Sequence, residues 1–130
     1  MYKKKIKKKR ILVDMTCSIL HHGHIRLLKK ASKYGNVIVG LTSDEEVKKY
    51  KKFNSLLNFN QRKEILLSIK FVKDVIKSNF YITDNFLKKN KIDFLVHGHD
   101  NKNLVNPKKL KIFKKTKSIS SKQLRKKFLV

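Results

Sequence analysis

Five short apolar runs, separated by stretches of helical periodicity, limit what this chain can fold into. They are Ile11-Leu12-Val13, Val37-Ile38-Val39-Gly40-Leu41, Val72–Ile76, Phe94-Leu95-Val96 and Leu110–Phe113. The first, second and fourth are apolar without interruption. A strand that is apolar on both faces is buried on both faces, which is how a parallel sheet covered by helices reads. Between the runs, Ile25, Leu27, Leu28 and Ala31 fall at helical spacing in a segment from His22 to Tyr34, with Gly35 as its C′ residue. Thr42-Ser43-Asp44-Glu45-Glu46 offers a hydroxyl or carboxylate cap and first-turn acids for a helix to about Tyr50. Asn60–Lys70 and Thr83–Asn90 are predicted helices, and a last one starts near Ser118–Ser120. Lys51–Asn58 and His99–Lys108 read as loops. The prediction is an α/β fold: about five parallel strands with helices on both faces. Ligands of such sheets sit beyond the carboxyl ends of the strands, at the switch point between the two halves. Functional residues should therefore follow strands.

They do. All five histidines fall in two clusters, His21/His22/His24 after the first strand and His97/His99 after the fourth. A helix N-terminus presents unpaired N–H groups and a partial positive charge, a natural phosphate site. Gly23 lets backbone approach a ligand closely. His21 and His24, three apart, share a helix face, and each imidazole can donate to a phosphate whose charge grows during reaction. Zinc is a rival reading, since these three histidines with His97 and His99 offer enough ligands. Zinc sites usually show wider ligand spacing or cysteine partners.

Charge needs care. The 34 Lys and Arg against 9 Asp and Glu leave +25 over 130 residues. Such an excess favours polyanions: nucleic acid, anionic membrane or phosphorylated metabolites. Lys dominates Arg, Asn is abundant, and the lysines are spread along the chain instead of forming one stripe, which favours compositional drift plus a phosphate-handling site over a dedicated nucleic-acid binder. Cys17 is the only cysteine, so no internal disulfide forms and a reducing, cytoplasmic setting fits. No apolar run approaches the roughly 20 residues that span a bilayer. With one Pro and four Gly the chain reads as one domain, residues 1–130, with Met1–Lys9 a basic, frayed lead-in.

Val13-Asp14-Met15-Thr16-Cys17-Ser18-Ile19-Leu20-His21-His22-Gly23-His24-Ile25 resembles the signature of the cytidylyltransferase family, in which a first strand leads through a turn into His-x-Gly-His. Val13-Asp14-Met15 looks like the subgroup that includes 2-aminoethylphosphonate cytidylyltransferases. Further segments match in order: Thr42–Glu46 through Tyr50-Lys51; Arg62-Lys63 with Phe71–Ile76; His97-Gly98-His99-Asp100; and Lys115-Thr116-Lys117-Ser118-Ile119-Ser120-Ser121. The resemblance covers about residues 10–127. It departs where Ser18 stands for a common Asp, Lys52 for a common Gly, His99 for the first Asp of a pair, Lys115 for Arg, and Lys117-Ser118 for Glu-Gly.

The resemblance implies a Rossmann-like nucleotidyltransferase fold that moves CMP from CTP to a phosphorylated small alcohol or a phosphonate, with release of pyrophosphate. It implies catalytic roles for His21, His24 and Lys51, with Lys49 as alternate. Thr16, the Cys17 backbone, His21, Gly23, His24, Asp100, Thr116, Ser120 and Ser121 would bind the nucleotide, and His22 would be the variable position. Mg²⁺ would bridge the triphosphate, held by phosphate oxygens and water without a dedicated protein metal site. Phe71–Ile76 matches a dimer contact of the family, so a homodimer is expected. Ile119-Ser120-Ser121-Lys122-Gln123-Leu124-Arg125 also resembles adenylyltransferases of the same superfamily. That activity, or a non-catalytic nucleotide- or nucleic-acid-binding module, is the alternative.

Overall fold

The computed structural model describes residues 8–98, 103 and 105–113. Five parallel strands run in the order β3-β2-β1-β4-β5. They are β1 (Arg10–Met15), β2 (Asn36–Thr42), β3 (Asp74–Ser78), β4 (Phe94–Gly98) and β5 (Leu110–Phe113). The helices are α1 (His22–Ser32), α2 (Asp44–Lys51), α3 (Phe59–Leu67) and α4 (Asp84–Lys89), with a 3₁₀ turn at Pro107–Lys109 before β5. The last helix expected from Ser118–Ser120 onward lies outside the described residues.

The apolar runs form the strands because each residue has a buried face to fill. Ile11, Val13, Val37, Val39 and Leu41 meet Leu28 and Ala31 of α1 and Leu66 of α3 on one side. Leu12, Ile38 and Leu95 meet Ile82, Leu87 and Ile92 on the other. Successive strand residues thus serve opposite faces, and both faces are covered, as continuous apolarity requires. In register, Val13 lies between Val39 of β2 and Val96 of β4. The chain leaves β1 to build β2 and β3 on one side, then β4 and β5 on the other. The switch point is therefore between β1 and β4.

Several boundaries differ from the sequence reading. β3 begins at Asp74, not Val72, because Val72 is still in a turn donating to the Ile69 carbonyl. β3 is an edge strand, and its exposed Asp74 and Lys77 break the continuous apolar pattern used to find it. α3 runs one residue earlier and ends three earlier than expected. Asn58 and Gln61 form a reciprocal capping box at 2.9 Å in each direction, and Ser68 closes the other end. Gly35 is not the C′ residue of α1, since the C-cap is Lys33. Its role is close approach: a Cβ there would lie 2.2 Å from the Lys9 carbonyl oxygen, where the chain passes to start β2.

Candidate active site

The candidate site lies at the carboxyl edge of the sheet, where β1 opens into α1. Cys17 turns the chain with a left-handed φ of 52°, and its side chain joins the core. Burial pushes its thiol up to about 12, only partly offset by the nearby Arg62. Only the Cys17 backbone is available to a ligand.

His21 is the N-cap of α1. Its Nδ1 accepts from the Gly23 N–H at 3.0 Å, and the His21 N–H donates to Nδ1 of His24 at 3.1 Å. The ring centroids are 4.0 Å apart, tilted by 35°. These two bonds set the tautomers. A backbone N–H can meet only an unprotonated ring nitrogen, so both neutral rings carry their proton on Nε2. Burial lowers the pKa of His24 to about 4, with His21 adding to the effect. His21 is lowered by burial and then by His22. At neutral pH both rings are therefore neutral Nε2–H donors. The sequence reading expected open backbone N–H groups at this helix start. Those of Gly23 and His21 are instead occupied by the two imidazoles, and each ring is left with its donor proton on Nε2. His22 is exposed, with its ring edge-on to His21 at 6.3 Å.

Arg62 of α3 holds the floor of this turn, a role that sequence reasoning did not assign. It is 1% exposed. Its guanidinium donates to the carbonyls of Thr16 at 2.8 Å, Thr42 at 2.9 Å and Leu57 at 3.2 Å, and pairs with Asp44 at 2.6 Å. One planar fork thus ties together the ends of β1 and β2, the start of α2 and the loop before α3. Thr16, expected among the nucleotide-binding groups, contributes its carbonyl to this anchor.

Across the switch point, Asp14 at the end of β1 meets His97 at the end of β4. The Asp14 carboxylate lies 2.6 Å from His97 Nδ1, and its second oxygen accepts from the Asn103 amide at 3.2 Å. Asp14 was also missed as a site residue. The signal was a carboxylate directly after the apolar run Ile11-Leu12-Val13, paired in the fold with the second histidine cluster. Among the described residues no group of three or more His, Cys, Asp or Glu is placed to hold a metal ion.

Lys51 is the last residue of α2, one step inside the helix and not in the loop. Its ammonium stands 5.4 Å over the Phe80 ring, and that of Lys49 stands 5.1 Å over Tyr50. Tyr50, Phe80 and Tyr81 pack ring to ring at 4.9–5.2 Å. Phe80 follows the end of β3 by two residues, so this cluster lies on the same sheet edge as the histidine turn. Lys52, where the resemblance shows Gly, caps α2 with a left-handed φ of 58°. His99, Asp100, Thr116, Ser120 and Ser121 lie outside the described residues.

Residues 16–127 match the family model described as cytidylyltransferase-like. A glycerol-3-phosphate cytidylyltransferase of Staphylococcus aureus is 33% identical over 93 residues, covering 71% of this chain and 70% of the relative. An ethanolamine-phosphate cytidylyltransferase of Arabidopsis thaliana is 32% identical over 103 residues, covering 75% of this chain but 24% of that longer protein. Among solved structures, the lipopolysaccharide core biosynthesis protein of Thermoplasma volcanium aligns with a TM-score of 0.66 at 21% identity, covering 83% of this chain and 96% of that one. It shares the fold. With a model match over most of its length and the His-x-Gly-His turn at the switch point of a parallel sheet, the chain belongs to the cytidylyltransferase-like family.

Proposed function

We propose that this protein transfers the CMP group of CTP to a phosphorylated small alcohol or a phosphonate. An acceptor oxygen attacks the α-phosphorus of CTP, the bond to the bridging oxygen breaks, and pyrophosphate leaves. The acceptor oxygen is already ionised near neutral pH, so no protein nucleophile is needed. The protein's work is alignment and stabilisation of the charge that builds on the α-phosphoryl oxygens.

The observation that carries this reading is the pair of Nε2–H donors of His21 and His24, fixed by backbone bonds to their Nδ1 atoms. Donors locked before substrate arrives need no reorganisation during reaction. Their neutrality means that positive charge comes from elsewhere, and Lys51 at the end of α2 is the residue we assign to it, with Lys49 as alternate. Thr16, the Cys17 backbone and Gly23 line the phosphate turn. Asp100, Thr116, Ser120 and Ser121 complete the assignment on the strength of the resemblance. Magnesium, carried on the triphosphate, would supply further charge neutralisation. The names of the curated relatives favour CTP over ATP.

A homodimer fits the Phe71–Ile76 segment, which runs into β3, the edge strand of the sheet among the described residues. Among the described residues no helix is long and apolar enough to cross a membrane. We read the whole chain as one domain acting in the cytoplasm.

The test is pyrophosphate release with CTP or ATP against glycerol 3-phosphate, phosphoethanolamine, phosphocholine and 2-aminoethylphosphonate. Release with CTP and one of these acceptors is expected. His21→Ala and His24→Ala should each lower turnover by roughly 10²-fold, the scale of losing one oxyanion donor. Near-normal turnover in both would overturn the mechanism.

A further inference from the structure

Lysines that are far apart in sequence meet at the edge of the sheet opposite the histidine turn. Lys8 and Lys9 lead into β1, and Lys33 and Tyr34 follow α1 to the same edge, where the Asn36 N–H donates to the Lys9 carbonyl at 2.8 Å. A depression of about 250 Å³ is lined by Lys8, Lys9, Ser32, Lys33, Tyr34 and Gly35. Lys29 lies one turn before Lys33 on α1 and is exposed. Tyr34 is 45% exposed. Asp93 is the carboxylate beside this edge, and it accepts from the Arg10 backbone N–H at 2.8 Å.

We infer that this basic depression binds single-stranded nucleic acid, with Lys8, Lys9, Lys29 and Lys33 on phosphates and Tyr34 as a platform for one base. Cations flanking an exposed ring are how proteins hold single strands without reading sequence. A lipid surface fits less well: interfacial basic segments insert Leu, Phe or Trp, and among the described residues no aliphatic side chain lines this depression. A duplex would keep its bases stacked away from Tyr34. The 11-residue α1 separates this patch from the histidine turn by roughly 16 Å. The inference stands independently of the transferase reading.

The probe is a fluorescein-labelled U-rich RNA of about 12 nucleotides, read by anisotropy from about 50 to 200 mM salt. The full chain should bind it. Lys29→Gln/Lys33→Gln should weaken binding and make the slope of log affinity against log salt shallower by about 1.4, near 0.7 per lost phosphate contact on a single strand. Tyr34→Ala should weaken binding roughly five-fold or more and leave that slope unchanged, the mark of a lost stacking contact. All of these variants should keep wild-type pyrophosphate release. The control is Lys48→Gln/Lys52→Gln, which removes equal charge from the exposed face of α2. If the control weakens binding as much as the patch variants, the charge acts diffusely and the inference fails. It also fails if the chain ignores the RNA but binds phosphatidylserine vesicles.

Discussion

Replacing His24 by Asn tests the capping of α1 through acid stability. The Asn carbonyl can still accept from the His21 N–H, which Nδ1 of His24 does at 3.1 Å, but Asn does not titrate. In the folded protein the His24 pKa is lowered from 6.5 to about 4. Between those values the unfolded chain binds a proton that the folded one does not, so stability falls as pH drops through the window. A lowering from 6.5 to about 4, at 1.36 kcal/mol per pH unit, is of order 3 kcal/mol by about pH 4. That is a large share of the roughly 5–15 kcal/mol that keeps a domain folded. Urea unfolding of wild type and His24→Asn at steps from about pH 7 to pH 4 gives two stability curves. Titrations of groups that do not interact with His24 are shared by both proteins and cancel in the difference. The wild type should lose up to about 3 kcal/mol more than the variant, nearly all of it below about pH 6.5. A gap that stays constant with pH would refute both the neutral assignment and the capping role of Nδ1.

Other outcomes follow from single residues. Lys52→Gly removes a side chain from a left-handed position at the α2 C-cap and should raise stability by about 1 kcal/mol, seen as a higher urea midpoint with unchanged slope. Arg62→Met should cost about 3–5 kcal/mol, since the Thr16, Thr42 and Leu57 carbonyls lose their donor; turnover should fall with it, because the turn under His21 loses its anchor. Cys17, buried with its thiol at about 12, should resist a thiol-specific disulfide reagent in the folded protein and react at once in urea.

The sheet was legible because three strands are apolar on both faces, a pattern that leaves few alternatives to a helix-covered parallel sheet. Edge strand β3 was misplaced because its exposed Asp74 and Lys77 interrupt that pattern. The histidine turn was legible from its position after β1. Its internal hydrogen bonding was not: residue types at a spacing of three do not say which ring nitrogen faces the backbone. Arg62 and Asp14 stayed hidden because their partners are distant in sequence, Thr16 46 positions away and His97 83. The basic depression was hidden likewise, since lysines that look scattered along the chain converge only when α1 returns the chain to the start of β1.

The central claim is that this His-x-Gly-His turn transfers a cytidylyl group. The most direct measurement is a reaction with α-³²P CTP and each phosphorylated acceptor, following the labelled product and, by a coupled assay, the released pyrophosphate. The account expects equal amounts of pyrophosphate and CMP-linked product with CTP, little with ATP, and a loss of both by roughly 10²-fold in His21→Ala. Stoichiometric product with ATP in place of CTP, or none with any acceptor from a folded protein, would contradict it.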